Sequence, residues 1–163
     1  MCSQYCRSTA YVSAVTAYEL CTPDEQEWAL SVNVHYLPHP FKATAGLPMT
    51  GNGLRVVDDG RDYGPNDSTD SAVQVLPLVW THHTTGRRAL MVNTRCMRCL
   101  ELADGSMLPV NESRMLVEKL MRRGVETDRI YAHAWEPGDV VLADNWACWH
   151  SATGACFYPV AFS

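Results

Sequence analysis

Histidine and cysteine side chains offer the clearest chemistry in this sequence, and His150 stands in the most suggestive context. It closes the stretch DNWACWH, residues 144–150, which follows the apolar run DVVLA that begins at Asp139. A buried strand that leads into two tryptophans and a histidine predicts an imidazole at the mouth of a β-structure, walled by Trp146 and Trp149. Such an apolar wall keeps bulk water from a bound metal and holds the ring still. By itself, this context favours a metal ligand and a core histidine about equally.

A CxxC pair, Cys96 and Cys99, is the second candidate. A structural zinc site normally needs four ligands, and the sequence contains no second CxxC. The flanking residues also lack the strand-to-helix context of a thioredoxin-like redox site. The pair is therefore interpreted as two incidental thiols. The alternative is an unrelated metal-binding protein that uses both thiols and a histidine.

The remaining histidines fit structural positions better than metal sites. His82 and His83 lie in the polar turn THHTTG, and adjacent side chains of an extended chain point in different directions. His133 lies inside the alternating stretch YAHAW, which favours a hydrogen-bonded strand histidine. His35 and His39 flank a predicted helix end and have no carboxylate at ligand spacing.

Length and charge limit the function classes. The chain has 163 residues, enough for one domain with a hydrophobic core, and a formal net charge of −5. An acidic chain with scattered Lys and Arg residues does not suit nucleic acid or an anionic membrane surface as a partner. No apolar run approaches the roughly 20 residues that span a bilayer, and the first residues lack a signal-peptide pattern. Seven cysteines, an odd number, favour reduced thiols in a cytoplasmic protein over a disulfide framework.

The first part of the chain is predicted to be helical and then irregular. Residues 8–20 predict a short helix. Residues 22–37 predict a second helix, with Thr22 as N-cap and Glu25 completing a capping box. The stretch LPHPF stops this helix because proline cannot continue it. Residues 42–72 are rich in Gly, Asp, Asn and Pro, which predicts a long surface loop or an insertion.

Strands are concentrated after residue 72. Residues 73–93 predict an antiparallel hairpin, and residues 129–150 predict two strands joined by a turn at Glu136–Asp139. The tail, residues 153–162, is β-prone and can add a last strand, which Pro159 confines to an edge or a bulge.

A third helix separates these strands. Residues 111–124 predict it, with Asn111 as N-cap and Gly124 as the C-terminal stop. The pattern as a whole is that of a mixed α and β chain.

Five sequence blocks, in order along the chain, resemble the TauD/TfdA family of taurine-dioxygenase-like oxygenases. The first two are a threonine-histidine turn followed by Thr-Gly-Arg and a strand ending in Asn, both within LPLVWTHHTTGRRALMVN. The third is the Glu-Ser helix start of NESRMLVEKLM. The last two are a Trp-x-Pro-Gly-Asp turn and an Asp-Asn pair before the distal histidine, both within WEPGDVVLADNWACWH. The resemblance covers about residues 73–152, and AYEL at residues 17–20 resembles the preceding helix.

The resemblance implies a fold and a chemistry. The family folds as a double-stranded β-helix, or jelly roll. The implied class is therefore α+β, a partial double-stranded β-helix with flanking helices, formed by residues 1–163 as a single partial domain. Family members use Fe(II) and 2-oxoglutarate to oxidise small organic substrates. A His-x-Asp/Glu pair and a distal histidine hold the iron and leave sites open for the cosubstrate and O2. By this resemblance, His150 is similar to the distal metal ligand.

The sequence departs from the family pattern at the other ligands. No His-x-Asp or His-x-Glu occurs in the chain, and its last segment, SATGACFYPVAFS, lacks the arginine that pairs with the cosubstrate carboxylate in the family. The His-x-Asp motif and the family's Gly-Asp-Thr segment would lie upstream of Met1. The chain is therefore expected to be a truncated oxygenase that is poorly stable and inactive alone. The alternative is a non-catalytic relative that acts as a binding or structural module.

Overall fold

A computed structural model describes residues 8–36 and 74–153 of the chain. The loop predicted at residues 42–72 and the tail beyond residue 153 lie outside these residues. The described strands and helices are, in chain order, β1 (Ser8–Ser13), α1 (Ala14–Glu19), α2 (Pro23–Leu30), β2 (Asn33–Tyr36), β3 (Gln74–Pro77), β4 (Val79–Thr81), β5 (Arg88–Leu90), β6 (Met97–Glu101), α3 (Val110–Arg122), β7 (Tyr131–Ala134) and β8 (Cys148–Thr153).

Two small antiparallel sheets and a hairpin form the β-structure of the described residues. In the first sheet β1 lies between β7 and β8, so that Tyr11 is opposite Tyr131 on one side and His150 on the other. In the second sheet β2 lies between β3 and β6. Strands β4 and β5 pair with each other. Small sheets with a few helices agree with the predicted α+β class.

The predicted helix over residues 8–20 is wrong in its first half, where residues 8–13 form β1. Both edges of this segment are paired, one with β7 and one with β8, and this pairing overrides the weak helical pattern of the local sequence. Ser13 then starts α1, because its Oγ accepts a hydrogen bond from the backbone N–H of Thr16 at 3.1 Å.

The predicted start of α2 is confirmed, and its predicted end is wrong. The Oγ1 atom of Thr22 accepts the Glu25 N–H at 3.3 Å, and Glu25 Oε2 accepts the Thr22 N–H at 2.9 Å, which completes the capping box. Glu25 also accepts a hydrogen bond from Arg123 Nη1 at 2.5 Å. The helix ends at Leu30, well before the prolines, because the following residues pair with β3 and β6 as β2.

The hairpin predicted at residues 73–93 is confirmed for its central part. Strands β4 and β5 pair around a turn in which Gly86 has a φ of 68°, a conformation that favours glycine. Strand β3, however, leaves the hairpin and pairs with β2.

Helix α3 begins slightly before its predicted start. Its N-cap is Pro109, not Asn111, and after Arg122 the chain continues as a 3₁₀ turn, Arg123–Val125. Gly124 in this turn packs tightly on α1, since a Cβ added to it would lie 2.7 Å from the Cβ of Ala17.

The buried strand predicted at residues 139–144 is wrong. The turn before it is confirmed: the Asp139 N–H donates to the Glu136 carbonyl at 3.1 Å, and Gly138 has a φ of 99°. The following segment pairs with no strand among the described residues, and the side chains of Val140 and Leu142 are 83% and 95% exposed. Strands β7 and β8 therefore do not pair with each other, and both pair with β1.

The largest hydrophobic core lies where α3 covers the second sheet and the hairpin. Ser113 of α3 is fully buried there and joins the layers, because its Oγ accepts the Leu100 N–H at 3.0 Å and donates to the Leu108 carbonyl at 3.2 Å. The central apolar members of this core are Val32, Val34, Leu78, Leu90, Met97, Leu100, Val117 and Leu120.

Candidate functional site

His150 lies on an exposed face of the first sheet. It is the third residue of β8 and lies opposite Tyr11 of β1, with the two ring centroids 6.2 Å apart. Because directly opposed residues of antiparallel strands share a face, this face also carries Tyr131 and His133 of β7. The His150 ring is exposed, so the sheet presents it outward and does not enclose it in a core.

The predicted tryptophan wall around His150 is wrong. Trp149 is adjacent in the strand and therefore faces the opposite side of the sheet, where it packs against the hydrophobic core. Trp146 belongs to another aromatic group, with its ring centroid 5.0 Å from that of Trp80 and 5.5 Å from that of His83. The sequence placed these indoles near His150, but strand alternation and the turn before β8 direct both of them elsewhere.

His133 is a hydrogen-bonded strand histidine, as predicted. Its Nε2 lies 3.0 Å from Asp139 Oδ2, and its Nδ1 lies 3.0 Å from the Tyr131 hydroxyl. The Trp135 ring stands edge-on to it at 4.6 Å and donates its Nε1–H to Thr9 Oγ1 at 2.9 Å. Both ring nitrogens of His133 thus have protein partners, so this histidine is not available to a metal in this arrangement.

His82 has a more specific role than the polar turn predicted for it. Its side chain is buried, and its Nδ1 accepts hydrogen bonds from the N–H groups of Thr84 and Thr85 at 3.3 and 3.1 Å. A nitrogen that accepts carries no proton, so Nε2 is protonated and donates to Asp144 Oδ2 at 2.7 Å. The ring of His83 stacks on that of His82 at 5.0 Å.

Asp144 is held as a carboxylate by two donors. Its pKa is lowered from the ordinary value, first by the hydrogen bond from the Trp146 backbone N–H and then by the hydrogen bond from His82. Sequence reasoning missed this pair because the two residues are far apart along the chain.

A second histidine-carboxylate pair was also missed. His35 of β2 lies 2.9 Å from Glu101 at the end of β6, and this hydrogen bond lowers the pKa of Glu101. Glu101 lies 66 residues further along the chain, on a neighbouring strand, so the residues near His35 in the sequence give no sign of it. His39, the other histidine considered with it, lies outside the described residues.

Of the CxxC cysteines, Cys96 immediately precedes β6 and Cys99 is the third residue of that strand, and both are free thiols. Burial raises the pKa of both Cys96 and Cys99, which disfavours the thiolate that metal binding and redox chemistry require. Within residues 8–36 and 74–153, no three His, Cys, Asp or Glu side chains are placed to hold one metal ion. Because both ring nitrogens of His133 have protein partners, the face around His150 offers a metal one imidazole, which does not by itself fit an iron ion.

Comparisons with known proteins give consistent matches. Residues 8–159 match the family model described as taurine catabolism dioxygenase TauD, TfdA family. The α-ketoglutarate-dependent xanthine dioxygenase of Neurospora crassa is 32% identical over 152 residues, which are 91% of this chain and 36% of that protein. The xanthine dioxygenase of Emericella nidulans is 36% identical over 155 residues, which are 91% of this chain and 41% of that protein.

A solved structure shows the same fold. The crystal structure of a taurine dioxygenase from Burkholderia xenovorans superposes with a TM-score of 0.62 at 22% identity, covering 91% of this chain and 41% of that one. The chain thus spans about two fifths of the length of the relatives it matches. Among the described helices, none has the length and apolar character needed to cross a bilayer.

Proposed function

Because the chain belongs to the TauD/TfdA family of taurine catabolism dioxygenases, we propose that it is part of an Fe(II)- and 2-oxoglutarate-dependent dioxygenase that oxidises a small organic substrate. In this proposal residues 1–163 form one partial domain with part of a jelly roll, and His150 is the distal metal ligand. The observation that carries the proposal is the placement of His150: a strand paired along its length with β1 presents the imidazole on an exposed face.

The face around His150 has groups suited to a small polar ligand. The Tyr11 ring lies beside the imidazole. The Thr9 hydroxyl, on the same face, accepts the Trp135 N–H, and a hydroxyl that accepts one hydrogen bond still has its own proton to donate. Xanthine is the first substrate to test, because the two fungal relatives are xanthine dioxygenases.

One imidazole does not fix iron for this chemistry. Non-haem Fe(II) oxygenases use two histidines and one carboxylate on one side of the metal. The described residues of this chain bring no such set together. We therefore propose that the chain alone does not convert 2-oxoglutarate to succinate. The same observation favours a second candidate, a non-catalytic relative that acts as a binding or structural module.

The experiment is succinate formation with Fe(II), ascorbate, 2-oxoglutarate and a substrate panel that includes xanthine and small sulfonates. The chain alone is expected to form none. A longer product of the same gene, carrying a His-x-Asp motif, is expected to form succinate and to lose this activity in His150→Ala. The matched control is His133→Ala. It removes another imidazole from the same face, and the ring nitrogens of that imidazole are already bonded to two protein groups.

The outcomes separate the candidates. Iron-dependent succinate from the chain alone, lost in His150→Ala, would refute inactivity. An active longer product unaffected by His150→Ala would remove His150 from the metal site. No succinate from any product of the gene would favour the non-catalytic relative.

A further inference from the structure

Asp144 connects His82 to the turn that leads into β8. Besides accepting the His82 Nε2–H, it accepts the Trp146 N–H at its Oδ1 atom at 2.8 Å, and its backbone carbonyl accepts the Ala147 N–H at 3.1 Å. The Ala147 carbonyl in turn accepts the N–H of Ala14 at 2.8 Å, directly after β1. This series of hydrogen bonds runs from the hairpin through Asp144 to Ala147, the residue immediately before β8. From Ala147 it continues to Ala14, directly after β1 of the first sheet.

The segment before Asp144 does not position β8. Residues 140–143 pair with no described strand, and Val140 and Leu142 are almost fully exposed. Asp144 is therefore where the chain becomes anchored again after a loosely held stretch. Its side chain is 51% exposed, whereas that of His82 is only 9% exposed, so the buried imidazole is the fixed end of the pair.

We propose that His82 is a positioning residue for His150: by holding Asp144, it fixes the turn that sets where β8 begins and hence where the His150 imidazole stands. The importance of this placement for metal binding rests on the function proposed above. The placement itself does not depend on that function.

A purely local role in closing the hairpin turn is the competing explanation. The turn already has two backbone hydrogen bonds that need no side chain, from the His82 N–H to the Arg87 carbonyl and from the Gly86 N–H to the His82 carbonyl, both at 2.8 Å. A local role would require only the Nδ1 acceptor for the Thr84 and Thr85 amides. A positioning role requires the Nε2–H donor for Asp144.

Two substitutions separate these roles. Glutamine places its amide nitrogen near the position of Nε2, so His82→Gln can still donate to Asp144. Asparagine places its amide near Nδ1, so His82→Asn can still accept the turn amides but cannot reach Asp144. The matched control is His133→Asn, because this histidine also bonds a carboxylate, that of Asp139, but ahead of the loosely held stretch and not at Asp144.

The first readout is amide hydrogen exchange of β8, with β2 and β6 as internal references. We expect His82→Asn to speed β8 exchange about tenfold, the size expected for losing a hydrogen bond to a charged group that is half exposed. We expect His82→Gln to restore most of the protection and His133→Asn to leave β8 exchange unchanged. Equal β8 exchange in His82→Asn and His82→Gln would overturn the proposal.

The second readout needs no variant and holds even if His82→Asn fails to fold. In the unmodified chain, imidazole ¹⁵N resonances of His82 should show an unprotonated Nδ1 and a protonated Nε2. The opposite tautomer would be incompatible with donation to Asp144 and would refute the positioning role.

The third readout is paramagnetic broadening of His150 resonances by added Mn²⁺. If the unmodified chain shows no broadening at His150, its single imidazole does not hold Mn²⁺ unaided, as the function proposed above expects, and the positioning role is decided by exchange. If broadening occurs, His82→Asn should reduce it and His82→Gln should retain it. Broadening that is the same in both variants would show that His82 does not set the His150 position.

Discussion

Replacing Gly124 by alanine is expected to destabilise the fold, because the new methyl group would collide with Ala17 of α1. The site also touches Trp149, the neighbour of His150 in β8. The new Cβ would lie 2.7 Å from the Cβ and 3.2 Å from the Cα of Ala17, and 3.6 Å from the Trp149 ring. Carbon atoms in contact prefer separations of about 3.5–4.0 Å, so α1 and the 3₁₀ turn would have to move apart by roughly 1 Å. Ala17 is completely buried, so the surrounding residues would have to move with it.

The expected cost follows from two opposing terms. Inserting a methyl group into a well-packed site costs about 1–3 kcal/mol. Replacing glycine by alanine also restricts the unfolded chain, which returns about 0.4–1 kcal/mol. The free energy of unfolding should therefore fall by about 1–2 kcal/mol in Gly124→Ala.

A double-mutant cycle with Ala17→Gly tests the cause. Ala17→Gly removes the atom that lies 2.7 Å away, so Gly124→Ala should cost less than about 0.5 kcal/mol in that background, with the remainder due to the 3.2 Å approach to the Ala17 backbone. The measurement is urea unfolding of the four proteins followed by circular dichroism. Gly105→Ala is the control, because its φ of 82° penalises alanine in open space and Ala17→Gly should not relieve it. Equal costs of Gly124→Ala with and without Ala17 would refute the steric explanation.

Three further predictions concern the rest of the fold. The hydrogen bond from Arg123 is the main cause that holds the pKa of Glu25 at about 2 instead of 4.5, so its stabilising contribution is present above about pH 4.5 and is lost as the pH falls towards 2. The urea midpoint should thus fall less between pH 5 and pH 3 in Glu25→Gln, and an unchanged fall would contradict this role. Ser113→Ala should lower the free energy of unfolding by about 1–3 kcal/mol, because it leaves the buried Leu100 N–H without its acceptor, and a loss near zero would show that another group replaces it. Burial raises the pKa of Cys96, so iodoacetamide at pH 7 should modify this thiol much more slowly in the folded chain than in urea. Mass spectrometry follows the modification, and equal rates would show that the thiol is accessible.

The features that could be predicted from the sequence depend on near neighbours. The capping box of Thr22 and Glu25 and the turn at Gly138 each involve residues within four positions of one another, and both are present. The features that were wrong depend on pairing across the chain. Residues 8–13 form a strand because two distant segments pair with them, and residues 139–144 do not form one because no described strand lies beside them.

In the candidate site, too, the features carried by local motifs could be predicted and the contacts between distant segments could not. The family resemblance singled out His150 through an ordered set of motifs, and its status as a metal ligand stays a prediction. The partners of His82 and His35 could not be read, because Asp144 and Glu101 come from distant strands and turns. One signal for the His82–Asp144 pair was available. Both residues belong to blocks that resemble the family, the threonine-histidine turn and the Asp-Asn pair before the distal histidine.

The location of β1 between β7 and β8 has a consequence for how the chain is made. The strand begins at Ser8, whereas its two neighbours are supplied by residues 131–134 and 148–153. Pairing over such a distance is slow, because loop-closure entropy is lost before any contact is gained. At about 5–20 residues per second, a ribosome needs roughly 7–28 s after making β1 to make both neighbours. During that time the strand has two open edges, so the nascent chain would depend on chaperones or on its own α1 and α2 to keep β1 from associating with other chains.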